Sequence, residues 1–297
     1  KDVPAEVVAA DPFELVDQEQ NSNSENVIKP AALFQPERPN SAGWDLSNVN
    51  DLAKYEKVRN AFQTTVWTVD PMIAGKIKST DSVEVVNPAD FDDIVGRVSQ
   101  ATAEDVETAL ANATAWSHAT AAERAVVLNK AADLYEVNSG EIFAALCREA
   151  GKTPLDAVAE IREAVDFLRY YAAQSTNLGD KVARGIICCI SPWNFPLAIF
   201  SGQISAALAA GNGVLAKPAD PTPIIASIGV RLMHKAGVPE NVLQLLPGPG
   251  PVVGAKITSD PRVNGVCFTG STAVAQTINR AMSGTIEPDA TFIAETG

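Results

Sequence analysis

A loop reading Ser-Pro-Trp-Asn-Phe-Pro, residues 191–196, follows a short apolar run, and its two prolines restrict the backbone on either side of Trp193, Asn194 and Phe195. A neutral amide held in this way can donate to a developing oxyanion without bringing a competing charge. The alternative is a structural asparagine that bonds carbonyl groups of its own loop. Further along, Thr-Phe-Ile-Ala-Glu-Thr-Gly, 291–297, brings a carboxylate, Glu295, to the end of an apolar stretch. Two glycine-rich turns lie between these segments. In Cys-Phe-Thr-Gly-Ser-Thr, 267–272, an apolar run containing Phe268 meets Gly270, which permits close backbone approach, and Ser271, which can cap a helix. The free N–H groups and partial positive charge of such a helix start suit a pyrophosphate. An ordinary capped helix start has the same pattern. Gly248, Gly250 and Gly254 mark a second turn of this kind, and no Gly-x-Gly-x-x-Gly follows the first strand, so the usual dinucleotide fingerprint is missing. Ala-Lys-Pro-Ala-Asp, 216–220, sets Lys217 and Asp220 at a strand end, where a charged side chain meets adenosine ribose hydroxyls or the two simply pair locally.

The elements that must position these residues are legible after Arg184. Strand-like runs at 185–191, 213–219, 241–248, 264–271 and 290–296 are separated by helical stretches at 196–211, 222–237, 250–259 and 271–282. Apolar runs without alternation, separated by helices, predict a parallel sheet covered on both faces. The fold class is therefore α/β, a Rossmann-like doubly wound sheet of about five strands, in which ligands bind outside the carboxyl ends of the strands. Every residue singled out lies at such an end or in the loop after it. Before the sheet, 46–182 reads as a helical block. A helix is expected over 46–68 and a strand over 83–90, ended by Asn87-Pro88. Thr102 with Asp105, Ser139, and Thr153 before Pro154 are helix starts. Leu155, Val158, Ile161, Val165 and Leu168 recur at helical spacing and read as core. Residues 1–45 read as a tail and linker, leaving 183–297 as the dinucleotide-binding part.

Composition narrows the partners. A formal charge of −13, with no Lys/Arg cluster, gives no footing for nucleic acid. The charge-free run from Gly185 to Ala216 is long enough to span a bilayer, yet Pro192, Pro196 and the Gly211-Asn212-Gly213 turn break it, so no membrane span is expected. Cys147, Cys188, Cys189 and Cys267 all sit in apolar segments and read as buried small apolar residues, which points to a reducing, cytoplasmic compartment. Two histidines, His118 and His234, are too few for a histidine metal site, and no metal is expected. No basic and apolar leader opens the chain, and a start at Lys1 suggests an excerpt.

Ser-Pro-Trp-Asn-Phe-Pro-Leu, Ala-Lys-Pro-Ala, Phe-Thr-Gly-Ser-Thr and Ala-Glu-Thr-Gly stand in the order and near the spacing of the aldehyde dehydrogenase superfamily, which the chain resembles over about 46–297. The resemblance implies NAD as cofactor, Asn194 as the oxyanion-stabilising amide, Glu295 as general base and Lys217 as ribose ligand. It sets Ser191, Pro192, Trp193, Gly250, Gly254, Phe268, Gly270 and Ser271 along the NAD cleft. Asp220 stands where that family often has glutamate, and Asp220-Pro221 shortens the reach to the ribose, which loosens the preference for NAD over NADP. The segments 38–46, 148–153, 161–172 and 191–212 are similar to the bifunctional proline utilization A family. In that family a C-terminal half oxidises L-glutamate γ-semialdehyde, also met as 1-pyrroline-5-carboxylate, to glutamate. The opening residues 3–16 then resemble the end of a proline dehydrogenase module whose FAD belongs to an upstream part.

The resemblance further implies a small-molecule aldehyde substrate and a homo-oligomeric parent. In this chemistry a cysteine thiolate attacks the aldehyde, hydride leaves, and a carboxylate activates water against the thioester. The family's nucleophile lies in a second domain beyond Glu295, so the chain is expected to stop at the joint between two domains and to be inactive alone. The competing expectations are a dinucleotide-binding or scaffolding remnant and an aldehyde dehydrogenase of another substrate class.

Overall fold

Runs free of charge until Lys217 make two strands, β4 (Ile186–Ile190) and β5 (Gly213–Lys217), that are buried at every position. They pair in parallel, and the sheet is completed by β6 (Leu243–Leu245), β7 (Val263–Gly270) and β8 (Thr291–Thr296) in the order β6-β5-β4-β7-β8. The chain thus winds outward from β4 in one direction and returns to its other side through β7. That reversal opens a crevice at the carboxyl ends of β4 and β7. The structure is a computed structural model describing residues 3–13, 27–77, 81–179, 181–285 and 287–297.

Each face of the sheet has its own core. Ile187 and Cys189 of β4 point into one, Ile186, Cys188 and Ile190 into the other, as the period of a strand requires. The first core is covered by α6 (Ala198–Ala209) and α7 (Pro223–Ala236). Behind them lie α3 (Ala121–Val137), α4 (Ser139–Glu149) and α5 (Pro154–Ser175). The second core is covered by α2 (Ala103–Asn112), a π-helical turn Gly250–Gly254 running into α8 (Ala255–Thr258), and α9 (Thr272–Thr285). At Gly213 a Cβ would fall 2.3 Å from the carbonyl oxygen of Thr114, so only glycine lets β5 start against the segment after α2.

The helix starts are partly those expected. Thr102 and Asp105 form a reciprocal capping box, and Thr153 accepts from the Asp156 N–H ahead of Pro154. Thr120 and Glu123 form another box that the sequence reading overlooked. Ser139 does not cap: it is the first residue of α4, preceded by Asn138, whose amide donates to the Leu134 carbonyl instead. The apolar stripe of α5 is buried except for Leu155, which is exposed.

Two expectations in the N-terminal part are corrected. The helix over 46–68 is shorter, α1 (Val49–Asn60), and Trp67–Val69 is instead a strand, β1. The strand at 83–90 is β2 (Ser82–Asn87), which ends as expected and turns into β3 (Asp90–Ser99). Together they form a second sheet, β1-β3-β2, within what was read as a helical block. Acidic residues at 90, 92 and 93 obscured the apolar pattern of β3. Contacts divide the chain into Lys1–Asn40 and Ser41–Gly297. The polar run 17–26 of the expected linker lies outside the described residues; the described part of the first unit includes a helical turn, Ala5–Val8, and a 3₁₀ turn, Pro30–Ala32. No helix among the described residues is long and apolar enough to cross a membrane.

Candidate functional site

The crevice at the reversal point is a cleft of about 1030 Å³, and the loops after β4, β5, β6, β7 and the end of β8 all reach it. Ser191, Pro192, Trp193 and Asn194 line it from the loop after β4, Lys217 from the end of β5, and Gly250 and Gly254 from the π-helical turn. Phe268, Gly270 and Ser271 line it from β7 and the turn after it, and Glu295 from β8. The structure therefore brings together the residues singled out in the sequence except Asp220 and Gly248, which do not line the cleft.

In the loop after β4 three consecutive exposed residues, 193–195, stand between buried anchors. Ser191, Pro196, Leu197 and Ala198 are buried, whereas Trp193 and Phe195 are 61% and 42% exposed. Asn194 is exposed and forms no hydrogen bond with the described residues, so it is not bracing its own loop. The Ser191 hydroxyl is buried without a hydrogen-bond partner.

At the end of β5, Lys217 is buried, and its Nζ donates to the Pro218 carbonyl at 2.8 Å and to Asp220 Oδ1 at 2.6 Å. Asp220 is half-exposed and held on the lysine, outside the cleft lining. The local pair is thus formed, with its cationic end directed from inside the fold. Across the cleft, β7 runs into α9 with Ser271 Oγ accepting weakly from the Val274 N–H at 3.4 Å. No acidic residue sits in the first turn of α9, which leaves its N-terminal field open to an anion. A Cβ on Gly270 would fall 2.6 Å from the Phe268 ring. The glycine is therefore occupied by a neighbouring side chain rather than left clear for a ligand. Nothing lies within 4 Å of a Cβ on Gly250, so packing alone does not demand glycine there.

Glu295 stands opposite Thr269 in the β7–β8 pairing and is exposed toward the cleft. It acts on Glu163 of α5: burial is the chief cause that raises the Glu163 carboxyl, Lys152 pulls it down, and the negative charge of Glu295 adds to the rise.

The cysteines lie away from the cleft. Burial pushes the Cys188 thiol up to about 12. Cys189 donates a hydrogen bond to Cys267 on the neighbouring strand, which raises the first thiol and lowers the second. Only Cys188 and Cys189 are fully buried; Cys147 and Cys267 are half-buried, contrary to the sequence expectation, with Cys147 Sγ 3.6 Å from the Tyr55 hydroxyl. Among the described residues no group of three or more His, Cys, Asp or Glu side chains could hold a metal ion.

Three residues around the site escaped the sequence reading. Gln203 of α6 donates to the Ile190 carbonyl at 3.2 Å and to Thr269 Oγ1 at 3.0 Å, tying the ends of β4 and β7 across the crevice. Lys152, partly buried, pairs with the buried Glu160 behind the loop that carries Asn194. The available signal for Glu160 was a carboxylate beside Ile161 on an otherwise apolar helix face.

Residues 76–297 match the aldehyde dehydrogenase family, and the chain belongs to it. It is similar to the bifunctional protein PutA of Escherichia coli K12, at 44% identity over 99% of this chain and 24% of that protein. The crystal structure of proline utilization A from Bradyrhizobium japonicum superposes with a TM-score of 0.78 and 38% identity, over 99% of this chain and 29% of that one. A 1-pyrroline-5-carboxylate dehydrogenase from Thermus, solved with bound NAD, gives a TM-score of 0.77 and 28% identity, over 93% of this chain and 56% of that one. The chain thus spans about a quarter of the length of its curated PutA relative.

Proposed function

We propose that this chain is the NAD-binding part of a dehydrogenase that oxidises L-glutamate γ-semialdehyde to L-glutamate in proline breakdown. The observation that carries the reading is the gathering, in one cleft at the reversal point of the sheet, of an unengaged amide, a carboxylate and an open helix N-terminus. The cleft is at the upper end of the size of small-molecule sites, about 300–1000 Å³, which suits a dinucleotide. Its residues fit that group. The N-terminus of α9 at Ser271 would receive the pyrophosphate, Lys217 a ribose hydroxyl, and the apolar flank of Val274 and Ile278 an adenine. When bound, NAD supplies the hydride acceptor.

The chain's own residues do the rest. The Asn194 amide donates to the oxygen of the aldehyde carbon as it gains negative charge. Glu295 takes a proton from water so that the water can release the acid product. The covalent step needs a thiolate, and the four cysteines here lie outside the cleft, two of them fully buried. The nucleophile is therefore assigned to residues other than these 297. The substrate class follows the names of the proline utilization A and 1-pyrroline-5-carboxylate dehydrogenase relatives.

The test is to titrate the purified chain with NAD and with NADP while following tryptophan fluorescence, then to incubate it with aldehyde and NAD. Saturable quenching by NAD, weakened by Ser271→Pro or Lys217→Met, is expected, with no aldehyde-dependent NADH. Absence of any binding would overturn the cofactor assignment, and clear turnover would overturn the assignment of the nucleophile.

A further inference from the structure

The loop that carries Asn194 has to enter α6 without a cap of its own. Leu197 occupies the capping position and offers no acceptor, so the first N–H groups of α6 have no partner within the helix or the loop. Glu160, projecting from α5, fills the gap: its Oε2 accepts from the Leu197 N–H at 3.2 Å and from the Ala198 N–H at 2.9 Å. Glu160 is 2% exposed. A carboxylate there also meets the positive end of the α6 dipole.

Glu160 is itself held. Lys152, in the segment between α4 and α5, places Nζ 3.2 Å from Glu160 Oε1, which has no hydrogen-bond donor of its own. The same ammonium lies 4.6 Å from the centre of the Phe195 ring. Phe195 follows Asn194 directly, and Leu197 comes two residues later. One largely buried ion pair from outside the sheet therefore grips the loop at two points just after Asn194. Neither Lys152 nor Glu160 lines the cleft.

Within the loop there is little else to hold the amide, since Asn194 bonds to no described residue and Trp193 projects into solvent. An oxyanion donor that strays by even about 1 Å loses much of its effect.

We propose that Lys152 and Glu160 are positioning residues for the Asn194 loop, acting as a clamp that sets where the amide points. The functional meaning of the clamp rests on the dehydrogenase reading above, but its physical claim is that the pair orders residues 192–198.

A plain helix cap predicts something different. If Glu160 served only global stability, removing Lys152 would leave both N–H bonds in place and the loop unchanged. Under the clamp, Lys152→Met frees Phe195 and lets the carboxylate drift, whereas Lys152→Arg, which can both pair and stack, restores order.

The experiment is native-state hydrogen exchange by mass spectrometry on this chain, comparing peptides over 192–200 with peptides over 222–228. Glu160→Gln and Lys152→Met should each speed exchange in the first set by about tenfold while leaving the second set unchanged, and Lys152→Arg should remain close to the parent. Glu149→Gln serves as the internal control. It weakens the analogous bonds at the start of α7 and should move only the second set. If Glu160→Gln does not fold, the Met and Arg variants of Lys152 decide the matter alone. Unchanged exchange over 192–200 in Lys152→Met, or a uniform rise across the molecule, would overturn the clamp. Because exchange is read without NAD or aldehyde, the clamp can fail while the cofactor titration succeeds, and the reverse.

Discussion

Glu149, the last residue of α4, offers a sharp test of how burial and hydrogen bonding compete. Its two carboxyl oxygens accept from the Ile224 and Ile225 N–H groups at 2.7 and 2.8 Å, at the start of α7, where Thr222 provides no cap. These bonds favour the ionised form, but burial works against it and wins, raising the carboxyl from its ordinary 4.5 to about 8. A raised value means that the folded protein binds a proton the unfolded chain releases. The stabilisation is therefore complete below about pH 4.5 and is lost as the pH rises through about 8. The whole shift corresponds to roughly 5 kcal/mol at about 1.4 kcal/mol per unit, an upper bound because partial solvation of the ion would reduce it. Glu149→Gln removes the titration while keeping one oxygen to accept. Urea unfolding of parent and variant at about pH 5 and about pH 8 isolates this group, since other titrations cancel in the difference. The variant should gain on the parent by at least about 2 kcal/mol between the two conditions. Curves whose separation stays constant would refute the reasoning and mean that the two N–H groups keep the carboxylate ionised throughout.

Two other outcomes follow from single contacts. Gly213→Ala places a methyl 2.3 Å from the Thr114 carbonyl and 2.8 Å from Ile186, and should lower stability by roughly 2–3 kcal/mol in urea titrations, with a steady Gly250→Ala as its control. With its thiol at about 12, Cys188 should resist iodoacetamide near neutral pH, and Cys267, half-buried and lowered by the Cys189 S–H, should be carbamidomethylated first when the protein is mapped by mass spectrometry.

Much of the architecture was written in local pattern. Prolines at 192 and 196 and the Gly211 turn split one charge-free run into strand, loop, helix and strand, because each breaker removes a donor or demands a special backbone angle. Strands that are apolar at consecutive positions can only be buried on both sides, which made the parallel sheet predictable and, with it, the edge where a ligand binds. That Asn194, Lys217, Ser271 and Glu295 share one cleft follows from that rule, since each ends or follows a strand.

What tertiary structure alone decided are the contacts between residues far apart in the chain. β1 was hidden in a stretch read as helix, and it becomes a strand because it pairs with β3 across nearly thirty residues, as Trp67 with Gly96. Asp220 leaves the cleft because Lys217 bends back to it. Ser139 yields its expected cap because Asn138 precedes it and turns its amide to Leu134. The N-termini of α6 and α7 are completed not by their own first residues but by Glu160 and Glu149 from the helical block. A carboxylate on an apolar helix face looks like a fault in the pattern until the opposing helix end is in view. Sequence periodicity records which face is buried, whereas the partner of a buried charge is set only by what the fold packs against it.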